Sequence, residues 1–229
     1  MINHKLLLMI PAFTFSFSVF AYDPADGNIT VTAGSFAYKT IFPHEDAGKG
    51  LVSGYHGNFG LIGNGDLDDK SSVEIGIFHM NKLFFRDQNG KTQVEQTQVM
   101  HISMGYRRWL NPYFSGGLGV YSGYPMDDTK VVHTDFALGT EIQTSARDKT
   151  EYGFDVSIQC EVWHNDMFSA LVDARYIKSM TSKENEYADH YGLMLGLRYL
   201  FQDKRSKKVE DNLEKKVEPR DRTKLEKEN

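Results

Sequence analysis

From Asn28 to Phe201 apolar residues recur at every second position almost without a break, and no helical stretch interrupts them. Over 152–162 one face reads Tyr152, Phe154, Val156, Ile158, Cys160, Val162, and the other Gly153, Asp155, Ser157, Gln159, Glu161. The same alternation sets Val73, Ile75 and Ile77 against Glu74 and Gly76, and Met100, Ile102, Met104 and Tyr106 against His101, Ser103, Gly105 and Arg107. It returns in Ala170, Val172, Ala174, Tyr176 against Asp173, Arg175, and in Tyr191, Leu193, Leu195, Leu197, Tyr199, Phe201 against Gly192, Met194, Gly196, Arg198. A period of two is the mark of strands with one apolar and one polar face. Asp87-Gln88-Asn89-Gly90 is a hairpin signal and Asn111-Pro112 a turn, with longer polar connections near 42–50, 63–71, 125–130 and 181–187. The predicted fold class is all-β, an antiparallel up-and-down meander closed into a barrel.

Which face turns inward decides the class of barrel. A soluble ligand-binding barrel hides its apolar face, whereas a membrane barrel presents that face to lipid and fills its lumen with polar groups. The polar faces here mix large charges with glycines, as in Arg198 beside Gly196 and Arg107 beside Gly105, which suits a crowded interior of ion pairs. Aromatic residues near segment ends (Tyr106, Trp109, Tyr113, Phe114, Tyr199, Phe201) sit where interfacial girdles belong. Both observations favour the membrane arrangement, with the lipid bilayer as the first partner. The soluble periplasmic barrel is kept as an alternative.

The two ends differ from the body. Residues 1–21, MINHKLLLMIPAFTFSFSVFA, have one Lys before an apolar stretch and end in Val19-Phe20-Ala21, a small-residue cleavage site. This is read as a secretory signal peptide, with the mature chain beginning near Tyr22. Residues 202–229 hold ten Lys/Arg, eight Asp/Glu and no aromatic residue, a composition that buries no core. They are read as a charged periplasmic tail, flexible or forming a short helix through Val209, Leu213 and Val217, with peptidoglycan a possible contact. The net charge of −5 becomes −8 over 22–201 once +1 in the signal and +2 in the tail are set aside. An acidic body is a poor partner for nucleic acid. The single Cys160 excludes a disulfide framework and a cysteine-based metal site.

The signal peptide, the Asn111-Pro112 turn with its Gly-rich strand 113–121, and the segment 192–201 resemble small outer-membrane barrels of Gram-negative bacteria: the OmpA transmembrane domain, OmpX, OmpW and the opacity-type adhesins. In those families the last strand carries an assembly signal read by the barrel-assembly machinery. Gly196, Tyr199 and Phe201 match it, whereas Met194 stands at its polar position and a tail follows. The resemblance implies an outer-membrane location and a barrel over 22–201. Nine alternating segments are legible: 28–40, 51–62, 71–86, 92–110, 113–124, 131–146, 151–163, 168–180 and 188–201. Bacterial single-chain barrels have even strand numbers. Segment 131–146 is therefore assigned to a structured extracellular connection despite the alternation of Phe136, Leu138 and Ile142. Eight strands are expected, with ten the alternative.

Eight strands enclose an interior that side chains fill. The inward polar set is His56, Glu74, His101, Arg107, Asp155, Glu161, Asp173, Arg175 and Arg198. Such charges must pair, since an unpaired one carries a large desolvation cost. The expected function is non-enzymatic, structural or through surface loops, with a narrow cation-favouring channel as the runner-up. His101-Ile102-Ser103 matches the His-x-Ser pair of some lipid A deacylases, but its face points to the lumen and Met104 replaces the Asn that commonly follows in that family. No catalytic residue, cofactor or metal ligand is assigned. The carboxylates of Gly63–Asp69 lack the closing Glu of a calcium loop. His44, His79, His133, His164 and His190 lack metal spacing and are expected at surfaces or interfaces. Cys160 is expected on the lipid face.

Overall fold

A computed structural model describes residues 22–42, 56–137, 139–140 and 142–202. The proposed signal peptide, the tail beyond Gln202 and most of the 42–50 connection lie outside the described residues. Among the described residues ten strands occur: β1 (Ile29–Thr40), β2 (His56–Asp66), β3 (Ser71–Gln88), β4 (Lys91–Asn111), β5 (Phe114–Pro125), β6 (Lys130–Thr134), β7 (Glu151–His164), β8 (Phe168–Ser179), β9 (Glu186–Tyr187) and β10 (His190–Gln202). Eight of them form a closed antiparallel barrel in the order β1-β2-β3-β4-β5-β7-β8-β10, and β10 pairs back onto β1 through Ala33↔Leu197 and Ala37↔Leu193. Closure leaves no barrel strand with an unpaired edge, the form a membrane demands.

The barrel has two unlike ends. At one, the chain turns within Leu67–Lys70, Pro112–Tyr113 and Asn165–Met167, and both β1 and β10 have their outer termini there. Asn111 and Asn165 build two of these turns by accepting backbone N–H bonds two and three residues ahead, Asn111 Oδ1 from Tyr113 (2.9 Å) and Phe114 (3.0 Å). At the other end the connections are long. There β3 and β4 run on past their barrel neighbours: β2 pairs β3 only to His79, and β5 pairs β4 only from Val99. Residues 80–88 and 91–98 thus extend beyond these described neighbours as a hairpin about 30 Å long, at ~3.3 Å per residue. Asn89 and Gly90, both at positive φ (55° and 71°), close it as the sequence signal predicts.

The two short strands flank this hairpin and stay outside the barrel. β6 pairs with Gln93–Gln96 of β4, and β9 pairs with Phe85–Arg86 of β3. Segment 131–146 is therefore a connection at the long-loop end, and eight strands make the wall. Its apolar residues do not follow the two faces of a wall strand: Val131 and Val132 are both exposed, whereas Ile142 is buried and its carbonyl accepts a bond from Gln93 Nε2 (3.1 Å). The sequence reading of 63–71 as a loop is corrected. Gly63–Asp66 continue β2, paired with Ser72–Ile75, and only 67–70 turn.

Candidate functional site: the filled lumen and its two closures

The period-two pattern sorts the wall cleanly. Val73, Ile75 and Ile77 on β3, Leu118 and Val120 on β5, Phe154, Val156 and Ile158 on β7, and Leu193, Leu195 and Leu197 on β10 are all exposed on the outside. Cys160 shares that outer face and is half-buried. The opposite phase points inward. Glu74, His101, Arg107, Asp155, Glu161, Asp173, Arg175 and Arg198 are all buried inside the barrel.

Two arginines organise the middle of the lumen. Arg175 donates from Nε to Asp173 (2.7 Å), from Nη1 to Asp155 (2.8 Å) and from Nη2 to Glu74 (2.7 Å), with its guanidinium 4.9 Å from the Phe78 ring centroid. Arg107 donates from Nε to Glu74 (2.5 Å), from Nη1 to Ser115 (3.0 Å), and from Nη2 to Ser157 (2.8 Å) and Asp173 (3.3 Å). A planar fork with five donors can bridge three acceptors at once, which an ammonium cannot match in geometry. Gly117 makes room for this: a Cβ there would meet Ser157 Oγ at 2.6 Å and Arg107 Nη2 at 3.1 Å. Gly117→Val is expected to destabilise the barrel by about 1–3 kcal/mol through overpacking, read from urea unfolding in micelles.

Toward the long-loop end the ion pairs continue. Lys82 donates to Glu151 (2.5 Å), which also accepts from the Tyr121 hydroxyl (2.8 Å). His101 stacks on Tyr121 with centroids 4.2 Å apart, and its Nε2 stands 3.9 Å from Asp155 Oδ2. The imidazole is thus aimed at a carboxylate and an aromatic ring. Ser103 lies instead across from Gly76, whose Cβ would meet its Oγ at 2.5 Å. His190 is corrected from a surface position: it is fully buried in the lumen, 5.6 Å from the Tyr38 ring and 6.3 Å from His101. His56 is half-buried and packs against Tyr38 at 5.6 Å rather than pairing with a carboxylate among the described residues. His79 stays on the outer wall, and the described residues hold no group of side chains able to bind a metal.

The lumen is only half polar. Phe36, Tyr38, Ile62, Phe78, Met80, Val99, Leu171 and Met194 form one buried apolar cluster, drawn chiefly from β1–β3 and β10. The ionic residues come chiefly from β4, β7 and β8, with Glu74 crossing over from β3.

Among the described residues, side-chain contacts span both ends of the lumen. At the long-loop end, the inner face of the protruding hairpin meets the 126–150 and 180–189 connections. Arg147 Nη2 donates to Glu95 (2.5 Å), which also accepts from Thr144 Oγ1, and Glu186 accepts from Ser145 N (2.8 Å) and Oγ (2.7 Å). Phe84, Ala146 and Ala188 pack beneath these bonds, while Phe42 stacks on Phe85 at 4.0 Å on the hairpin's other side. At the short-turn end Trp109, expected in a girdle, instead turns inward and is 7% exposed. It keeps the inward phase of Arg107 on the same strand. The Arg198 guanidinium lies 5.0 Å from the ring centroids of both Trp109 and Tyr22, and donates to Glu161 (2.9 Å) and Gln159.

Lys82, Glu151 and Tyr121 were missed by the sequence reading, although each continues the inward phase of its strand. Tyr22 precedes the first strand and carried no periodic signal. Gly196, Tyr199 and Phe201 lie on β10, with Gly196 opposite Gly34 of β1, and Tyr199 packed on Phe168 (5.0 Å) and Phe201 (4.9 Å).

No family model matches the chain, and no curated relative does. Solved structures do. The outer membrane protein OprG from Pseudomonas aeruginosa superposes with a TM-score of 0.52 at 13% identity, covering 79% of this chain and 99% of that one. The attachment invasion locus protein Ail of Yersinia pestis, in complex with a heparin analogue, aligns with a TM-score of 0.46 at 13% identity, over 77% of this chain and 99% of its own. The chain has the fold of small eight-stranded outer-membrane barrels.

Proposed function

We propose that the chain is an exported, non-enzymatic outer-membrane protein of a Gram-negative bacterium, with a lumen filled by its own side chains and its work done by the long-loop end. The observation that carries this reading is the lattice of Arg107 and Arg175 on Glu74, Asp155 and Asp173, held between two closures. Guanidinium groups engaged on every side offer a solute neither a path nor a free site. The outward apolar wall supports contact with a bilayer, because exposing so much continuous apolar surface to water is strongly unfavourable. Short turns at one end and long connections at the other fit periplasmic and extracellular sides, respectively. In this reading residues 1–21 are a signal peptide that is removed. The tail 202–229 lies in the periplasm, within reach of peptidoglycan, and Gly196, Tyr199 and Phe201 address the barrel-assembly machinery.

A narrow cation path is the second reading, favoured by one feature: three carboxylates against two guanidiniums in the middle lumen. Single-channel recording of the refolded protein in a planar bilayer separates the two. Insertion is verified by the mobility difference between boiled and unboiled samples. The expected result is an inserted barrel with no unitary current steps. Stable steps that favour cations would overturn the closed lumen and select the second reading.

A further inference from the structure

We propose that cleavage after Ala21 creates a structural cation: the α-ammonium of Tyr22, seated on Glu161, completes the short-turn closure of the barrel. This rests on the reading of the chain as an exported, processed protein. Hydrolysis of the Ala21–Tyr22 amide by a signal-peptide hydrolase uses one water, whose oxygen becomes part of the Ala21 carboxylate. The released amine takes a proton to become an ammonium.

The place where that nitrogen lies is already built. Tyr22 is 3% exposed, and its backbone N is 2.6 Å from Glu161 Oε1. The side chain is fastened independently: its hydroxyl donates to Asp66 Oδ2 (2.5 Å), and its ring tilts against Trp109 with centroids 5.3 Å apart. Ala25 N also donates to Asp66 Oδ2 (3.1 Å), and Gly27 N to the Asp66 carbonyl (2.9 Å), so 22–27 is tied to β2 as it enters β1. A peptide nitrogen offers Glu161 one neutral hydrogen. An ammonium offers three hydrogens and a full charge, and charge-assisted bonds are about twice as strong as neutral ones.

Charge counting points the same way. In this layer Glu161 and Asp66 carry two negative charges against the single guanidinium of Arg198, with His164, 3.4 Å from Glu161, taken as neutral. An α-ammonium at Tyr22 brings the buried layer to zero, where an uncut chain leaves it one negative. Processing therefore both frees the chain and supplies the missing cation of the barrel floor.

The test uses the full chain exported in a Gram-negative host and purified from membranes. Intact mass is expected to give a mature chain beginning at Tyr22; another start overturns the proposal. Amine-reactive labelling read by peptide mass spectrometry is expected to spare the Tyr22 α-amine in the folded barrel and to modify it after boiling. Equal labelling in both states overturns it without any variant. In a coupled pair of variants, Gly-Ser inserted after Ala21 is expected to lower the folding equilibrium constant about tenfold or more, the scale of a charged hydrogen bond. Glu161→Gln is expected to cost a similar factor and to abolish the effect of the insertion. Additive effects overturn the pairing. A chain that never shows a heat-modifiable band fails the membrane-barrel reading itself, whereas a heat-modifiable barrel with a reactive amine fails this inference alone.

Discussion

Replacing Arg175 with leucine is expected to cost the folded barrel about 3–5 kcal/mol, enough to abolish most of the heat-modifiable band. The reason is what the change leaves behind. Asp155 and Asp173 are almost fully buried and each lies within 2.8 Å of an Arg175 nitrogen, as does Glu74. Arg107 still serves Glu74 and Asp173, but Asp155 keeps only the more distant His101. The penalty is thus concentrated on one uncompensated carboxylate. Arg175→Leu combined with Asp155→Asn is expected to recover a substantial part of the loss, although it removes a further charge. Urea titrations of the refolded variants in one detergent check both statements. An Arg175→Leu barrel as stable as the parent would show that the lattice carries no weight in the fold.

The wall was legible because one rule governs it. On β3, β4, β7, β8 and β10 a mid-strand charged residue (Glu74, Arg107, Asp155, Arg175, Arg198) marks the inward phase, so the alternate apolar side chains can be assigned outward without knowing the partner strands. The rule weakens where both faces are apolar. Phe36 and Tyr38 on β1 point into the lumen, yet no charge marks their phase in the sequence. Alternation says that two faces exist and does not say which is inside. The large rings fit because glycines stand beside them: a Cβ at Gly192 would lie 2.3 Å from Phe36 Cζ.

Residues at the ends were less legible, for a related reason. Trp109 was placed by its nearness to a turn, where aromatic girdles sit, whereas its phase with Arg107 is what directs it inward. The excess length of β3 and β4 follows their barrel segments without a turn signal, and there Phe84 packs with Ala146 and Ala188 while Leu83 packs with Val94. In segment 131–146 Ile142 is buried while Val131 and Val132 are both exposed, so its apolar residues do not keep the two faces of a wall strand. Strand-number parity, not composition, separated it from the wall.

Leu195→Arg is expected to destabilise the barrel by about 2–4 kcal/mol in lipid, the cost of an arginine near the bilayer midplane. The site is chosen because the two environments predict opposite outcomes. Leu195 is 61% exposed, midway along β10, and pairs with Ser35 on β1 and Val172 on β8. In water an exposed leucine-to-arginine change of this kind normally stays within about ±0.5 kcal/mol. In a bilayer the same guanidinium must snorkel, thin the membrane or draw in water. Val131→Arg gives the internal comparison: it is 50% exposed on β6, outside the barrel and above the rim, and is expected to be neutral. Refolding into vesicles and measuring urea midpoints for the two variants tests the belt directly. A neutral Leu195→Arg alongside a neutral Val131→Arg would mean that the exposed wall meets solvent or protein, and the membrane assignment would have to be abandoned.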